Sequence, residues 1–216
     1  MEQDRLRAAL AFGSRTALGS QTPLCPEAEA SLSALVRGNA LYLAQERNMS
    51  NLTDLVRTKT AQEGQHPYAV VVCCADSRVP PEHIFHAGIG DLFVIRNAGN
   101  VMTPSALGSV EYAVGHLHVP LVLVMGHRGC GAVAAALLHG HEPGALGDLV
   151  AQVSAAVGHC HDPRQAERAN LLHSLAALGA SEHLTLLAEA GKVNFAAAIY
   201  DIRTGTVELC QDPQNP

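Results

Sequence analysis

Short apolar runs set the rhythm of the chain. Tyr68-Ala69-Val70-Val71-Val72, Asp91-Leu92-Phe93-Val94-Ile95-Arg96 and Leu121-Val122-Leu123-Val124-Met125 are compact, aliphatic and bounded by turn formers, the pattern of buried strands. A fourth run covers 192–200. Helical spacing recurs between them. Leu32, Leu35, Val36, Leu41 and Leu43 recur with roughly helical spacing in a helix that Pro26 opens and that runs to about Asn48, with Gly38 as an interruption. Further helices are expected over 51–61, 104–116, 131–138, 149–157, 166–178 and 182–190, with one helical turn over 81–86. The rest of 139–165, rich in Gly, His and Pro, carries no clear period. A turn at 201–205 leads into a short last strand, 206–210. Strands separated by helices imply an α/β fold with a largely parallel central sheet and right-handed crossovers. The last strand is expected as an antiparallel C-terminal edge, and helices flank the sheet.

The length of 216 residues suits one domain with a sizeable core. We read it as 26–216, preceded by an extension over 1–25. There Arg5, Arg7 and Arg15 lie among small residues, as in a loosely ordered or partner-clasping arm. Aromatic residues make up 4% of the chain and Trp is absent, which favours close helix-on-sheet packing. The net charge of -6 argues against a nucleic-acid partner. No apolar stretch is long enough to span a bilayer, so no membrane partner is expected. Glu2 and Asp4 near the start do not fit a secretory signal. Six cysteines are too few for a disulfide scaffold, and a reducing, cytoplasmic location is expected.

The chemistry gathers where two strands end. The first leads into Cys74-Ala75-Asp76-Ser77-Arg78, the third into Gly126-His127-Arg128-Gly129-Cys130. In open α/β sheets, sites form beyond the carboxyl ends of the strands. Zinc accepts thiolate and imidazole donors, and catalytic sites usually keep three protein ligands and one open position. We therefore read Cys74, His127 and Cys130 as ligands of one catalytic Zn2+ per chain. Asp76 is close enough to become a fourth ligand, and the planar fork of Arg78 would hold it off. One carboxylate oxygen is then left to orient a zinc-bound hydroxide, which makes Asp76 and Arg78 the candidate catalytic pair. Singly, a strand Cys is usually a small buried hydrophobe, and Asp-Ser-Arg is often only a turn. Two ligand-bearing strand ends beside an acid–base pair are harder to obtain by chance. Cys73 should point to the opposite face from Cys74, away from the site.

His83 and His86 follow the pair closely and are either candidate proton shuttles, the role His can fill near neutral pH, or plain solvated loop histidines. His139-Gly140-His141 and His159-Cys160-His161 read as exposed loop clusters. Arg96, Asn97 and Gly99 either shape the mouth of the site or form a plain turn.

These motifs resemble the β-class carbonic anhydrases. The likeness runs from about Gly38 to Leu209. It includes Gly38-Asn39, Cys74 to Arg78 with Val79-Pro80-Pro81, Arg96-Asn97-Ala98-Gly99-Asn100, Gly108-Ser109-Val110-Glu111-Tyr112 and Gly126 to Val133. The resemblance implies reversible hydration of CO2 to bicarbonate and a proton at a Cys2His zinc. It also implies a homodimer or higher homo-oligomer, embraced by an N-terminal helical arm, with sites near the subunit interface. Within that resemblance His86 replaces a common acidic residue, Leu41 replaces a frequent Arg, and 138–166 is short. The rival readings are a carbonyl sulfide or carbon disulfide hydrolase using the same site, and a silent relative serving as a bicarbonate sensor or scaffold.

Overall fold

The computed structural model describes residues 24–46, 52–138 and 142–210. The expected arm before residue 24 and the His139-Gly140-His141 cluster lie outside them.

The strands are β1 (Ala69–Cys74), β2 (Leu92–Asn97), β3 (Leu121–His127), β4 (Asn194–Tyr200) and β5 (Val207–Leu209). They form one sheet in the order β2-β1-β3-β4-β5. All neighbours are parallel except β4 and β5, as the helix-separated strand pattern predicts. The helices are α1 (Pro26–Leu43), α2 (Asp54–Glu63), α3 (Pro81–Ile84), α4 (Pro104–His116), α5 (Gly131–Leu137), α6 (Gly144–Val157), α7 (Pro163–Ala176) and α8 (Glu182–Glu189). Several open with the same device. Thr103 and Asp162 cap α4 and α7 by accepting the amides of Ala106 and Gln165, and Pro104 and Pro163 follow. A capping side chain satisfies an orphan amide, and Pro at the first position has no amide to lose.

Every residue of β1, β3 and β4 is buried, because helices cover both faces of the sheet. Val70 and Val72 pack with Val110, Leu171 and Leu184 from α4, α7 and α8. Val71 and Cys73 pack on the other face with Leu32 and Leu35 of α1 and Ile84 of α3. Cys74 continues the side of Val70 and Val72 into a third cluster with Cys130, Val133 and Val153. Alternation along β1 thus separates Cys73 from Cys74 as expected. Burial pushes the Cys73 thiol up to about 12, so it behaves as an inert hydrophobe.

Several element bounds differ from expectation: α1 ends at Leu43 and not near Asn48, and α2 begins at Asp54 and not at 51. α6 begins at Gly144 and not at 149, and α7 begins at Pro163 and not at 166. Gly144 and Gly147 lower helical propensity and hide that first turn. Gly147 is needed there, because a Cβ would lie 2.1 Å from the Glu142 carbonyl oxygen. Among the described residues no helix is long and apolar enough to cross a membrane.

Candidate metal centre

The sheet order puts a topological switch point between β1 and β3. From β1 the chain moves to β2 on one side and then returns to β3 on the other. Crevices open at such points beyond the carboxyl ends of the strands. β1 ends at Cys74 and β3 at His127, so both residues reach the crevice from adjacent strands. Gly129 adopts a positive φ of 69°, a conformation that costs glycine little. It turns the chain back so that Cys130 becomes the N-cap residue of α5.

Cys74, His127 and Cys130 are all buried, and their donor atoms lie within 4.8 Å of one another. The three donors the sequence assigned to one ion are therefore brought together. His127 Nδ1 lies 3.0 Å from the Arg128 carbonyl oxygen. A carbonyl only accepts, so Nδ1 carries the proton and donates, which leaves the Nε2 lone pair toward the sulfurs. Nε2 is buried and has no hydrogen-bond partner. An orphan buried nitrogen facing two sulfurs is what a metal ligand looks like before the metal is considered. The donor set fits zinc, which takes two thiolates and one imidazole readily.

The electrostatics favour a thiolate at Cys74. Cys74 is drawn well below the ordinary thiol value, first by the neighbouring Cys130 thiol. His127 adds to this, as do the amides of Asp76 (3.4 Å) and Gly99 (3.3 Å), which donate to Cys74 Sγ. Cys130 is pushed up by its hydrogen bond to Cys74 and by burial. Burial opposes protonation of His127, but the Cys74 sulfur and the Arg128 carbonyl outweigh it and push the imidazole up.

Asp76 and Arg78 form the fork the sequence predicts. Arg78 Nη2 donates to Asp76 Oδ2 at 2.6 Å and Nε to Oδ1 at 2.9 Å. The Arg78 amide also donates to Oδ1 at 2.9 Å. These contacts hold the Asp76 carboxyl well below the usual carboxylate range, the guanidinium contributing most. Asp76 Oδ2 lies 4.0 Å from His127 Nε2, beside the donors. Arg78 Nη2 also reaches the Gly129 carbonyl oxygen at 3.2 Å, tying the two ligand loops to each other.

Arg96 proves to be more than part of a turn. It donates from Nε to the Cys74 carbonyl (3.1 Å) and from Nη2 to the Asp76 carbonyl (2.7 Å), fastening the backbone of the first loop. Asn97 closes its own turn by donating to the Val101 carbonyl at 2.8 Å. His83 is exposed on α3, and His86 follows with its Nε2 3.2 Å from the Glu46 carbonyl oxygen. The neighbours of His86 in the chain, Ile84 and Phe85, pack on the Cys73 face of the sheet. Sequence reasoning missed the Gly99 amide, a backbone donor that no side chain advertises. It also missed Glu167 on α7, whose carboxylate accepts from the Gly129 amide at 2.7 Å and from Arg128 Nη1 at 3.1 Å.

Comparison with known proteins agrees with this geometry. A carbonic anhydrase family model matches residues 69–207. Carbonic anhydrase 2 of Mycobacterium tuberculosis is 52% identical over 98 residues, 44% of this chain and 47% of that protein. A carbonic anhydrase of Pseudomonas aeruginosa is 33% identical over 167 residues, 69% of this chain and 76% of that protein. A structure of tetrameric β-carbonic anhydrases from Sordaria macrospora matches with a TM-score of 0.64 at 26% identity, covering 72% of this chain and 86% of that one. The chain spans about half the length of the mycobacterial relative. With the family match covering well over half the chain and both metal loops, this chain belongs to the β-class carbonic anhydrase family.

Proposed function

We propose that this chain catalyses the reversible hydration of carbon dioxide to bicarbonate and a proton. One observation carries the reading. Two sulfurs and an unpartnered imidazole nitrogen converge beside a carboxylate that is bound to a guanidinium. Cys74, His127 and Cys130 would hold one Zn2+ per chain. When bound, zinc supplies a Lewis acid that lowers the pKa of a water molecule to ~7.

The chain's own residues do the remaining work. The two thiolates balance the charge of the ion, and the Arg128 carbonyl fixes the His127 tautomer. Asp76, kept ionised by Arg78, accepts a hydrogen bond from the attacking solvent molecule at Oδ2 and aims it at CO2. Arg78 keeps Asp76 from becoming a fourth ligand. His83 and His86, the nearest histidines in the chain after the pair, are the candidates to carry the released proton, and plain solvated loop histidines are the alternative. If His86→Ala leaves turnover unchanged at both low and high buffer concentration, His86 is not the shuttle.

We place residues 26–216 in one catalytic unit that works as a homodimer or larger homo-oligomer in the cytoplasm. The half-buried edge strand β2 and the exposed Leu41, Leu43 and Leu55 support self-association. Cysteine usage too sparse for a disulfide scaffold supports a reducing compartment.

Stopped-flow CO2 hydration, with zinc measured on the same sample, tests the function. The expected result is one zinc per chain and hydration that Cys130→Ser abolishes. Zinc without hydration overturns the reading. Turnover of carbonyl sulfide or carbon disulfide in its place would favour the hydrolase, and bicarbonate binding without turnover would favour the sensor.

A further inference from the structure

Helix α7 carries a polar row on its buried face. Glu167, Asn170 and Ser174 are 7%, 2% and 1% exposed, and their spacing puts them on one side of a helix. Buried polar groups need partners, and each of these finds one in a loop of the metal centre or its continuation. Glu167 Oε1 accepts from the Gly129 amide (2.7 Å) and Oε2 from Arg128 Nη1 (3.1 Å), within the turn between His127 and Cys130. Asn170 Nδ2 donates to the Gly99 carbonyl oxygen at 2.8 Å. The amide of that same Gly99 donates to Cys74 Sγ at 3.3 Å. Ser174 Oγ accepts from Asn100 Nδ2 at 3.4 Å.

One helix therefore grips both the turn that presents His127 and Cys130 and the turn that donates to the third ligand. The Arg128 backbone is fixed on every side: its amide donates to Tyr200 and its carbonyl accepts from His127 Nδ1. Only its side chain and the following Gly129 depend on α7, and Glu167 takes both. Gly129 has no side chain and a left-handed backbone, so its amide is the natural handle for the turn.

We infer that Glu167, seconded by Asn170, is a positioning residue that sets the spacing of the Cys74, His127 and Cys130 donors. The inference rests on the proposed reading of those three residues as zinc ligands. Partners behind the ligands commonly tune metal affinity by 10–100-fold, which sets the size of the expected effect.

The test compares the full-length wild type with Glu167→Ala, Glu167→Gln, Asn170→Ala and Leu175→Ala. Leu175 is a buried apolar residue of the same helix and serves as the control for a merely structural loss. Zinc affinity is measured by competition with a chromophoric chelator, and the thiolate-to-cobalt absorption is recorded with Co2+ alone as the probe. Glu167→Ala should weaken zinc roughly tenfold or more and alter the cobalt spectrum. Glu167→Gln, which keeps an oxygen for the Gly129 amide, should recover part of that loss. Leu175→Ala should lower the melting temperature with zinc affinity and spectrum unchanged. A Glu167→Ala protein that matches wild type in affinity and spectrum, or a Leu175→Ala protein that loses as much zinc, overturns the inference. Should the wild type itself bind no zinc, the proposed function fails separately. Amide hydrogen exchange at Gly129 and Gly99 then decides the positioning claim: faster exchange in Glu167→Ala and Asn170→Ala sustains it, and unchanged exchange overturns it.

Discussion

Asp76 stands two residues beyond a sulfur donor, and in the proposed reading Arg78 keeps it from taking the metal for itself. Arg78 grips both carboxylate oxygens and also the Gly129 carbonyl across the site. Removing it should leave the three ligands intact and free the carboxylate. Arg78→Ala should keep its zinc and lose at least about tenfold in CO2 hydration, the scale of a lost partner behind a metal site; full activity in that variant would contradict the role. The same grip makes a pH prediction. Because the folded Asp76 pKa is depressed, its contribution to stability is complete above the unfolded value of ~3.9 and is lost as pH falls toward the folded value. In metal-free protein, Asp76→Asn should therefore be less stable than wild type at neutral pH, and the gap should narrow as pH drops below about 4 in urea titrations. A constant gap would contradict the pairing. At this scale the sequence was informative wherever chemistry resides in side chains near a strand end. That Cys74, His127, Cys130, Asp76 and Arg78 gather in one place was legible from type and spacing. Glu167 was not, because it lies 38 positions from the amide it accepts, and one acidic residue on an amphipathic helix reads as solvated surface.

Elements behave similarly: those with a strong period were legible, those built on close contacts were not. The buried strands declared themselves as aliphatic runs. Gly38, by contrast, looked like a flaw in α1. The structure explains it, since a Cβ there would lie 1.9 Å from the Phe85 carbonyl oxygen after α3. The next residue, Asn39, donates to the Ile84 and Gly205 carbonyls and accepts from the Val207 amide. This Gly-Asn pair lets α1 approach and then locks it to α3 and to β5. Gly38→Ala should destabilise the fold by about 1–3 kcal/mol, the range of an overpacked contact, measured by chemical denaturation. A neutral or stabilising substitution would show that the helix can shift without cost. The first turn of α6 was lost in the sequence for a similar reason: the glycines that weaken its helical signal are the ones its turn requires.

For the whole molecule, the parallel order β2-β1-β3-β4 creates the switch point, and the antiparallel β5 closes the far edge. That plan was legible because strands and helices alternate. The side of the sheet each helix covers was not, since the strands are apolar on both faces. A metal that binds only the folded chain must stabilise it. Saturating zinc at about 100 times its dissociation constant should add about 2.7 kcal/mol to stability, read as a higher melting temperature that a chelator reverses. An unchanged melting temperature would contradict a zinc site of useful affinity. The half-buried edge strand β2 and the exposed leucines of α1 and α2 predict a dimer or larger assembly in light scattering, and a monomer at micromolar concentration would contradict that expectation. The central claim is tested most directly by X-ray absorption at the zinc edge of the loaded protein. Two sulfurs at ~2.3 Å and two lighter donors at ~2.0–2.1 Å are expected for Cys74, Cys130, His127 and one exchangeable ligand. A shell of three or four sulfurs, or zinc bound with no sulfur, would contradict it.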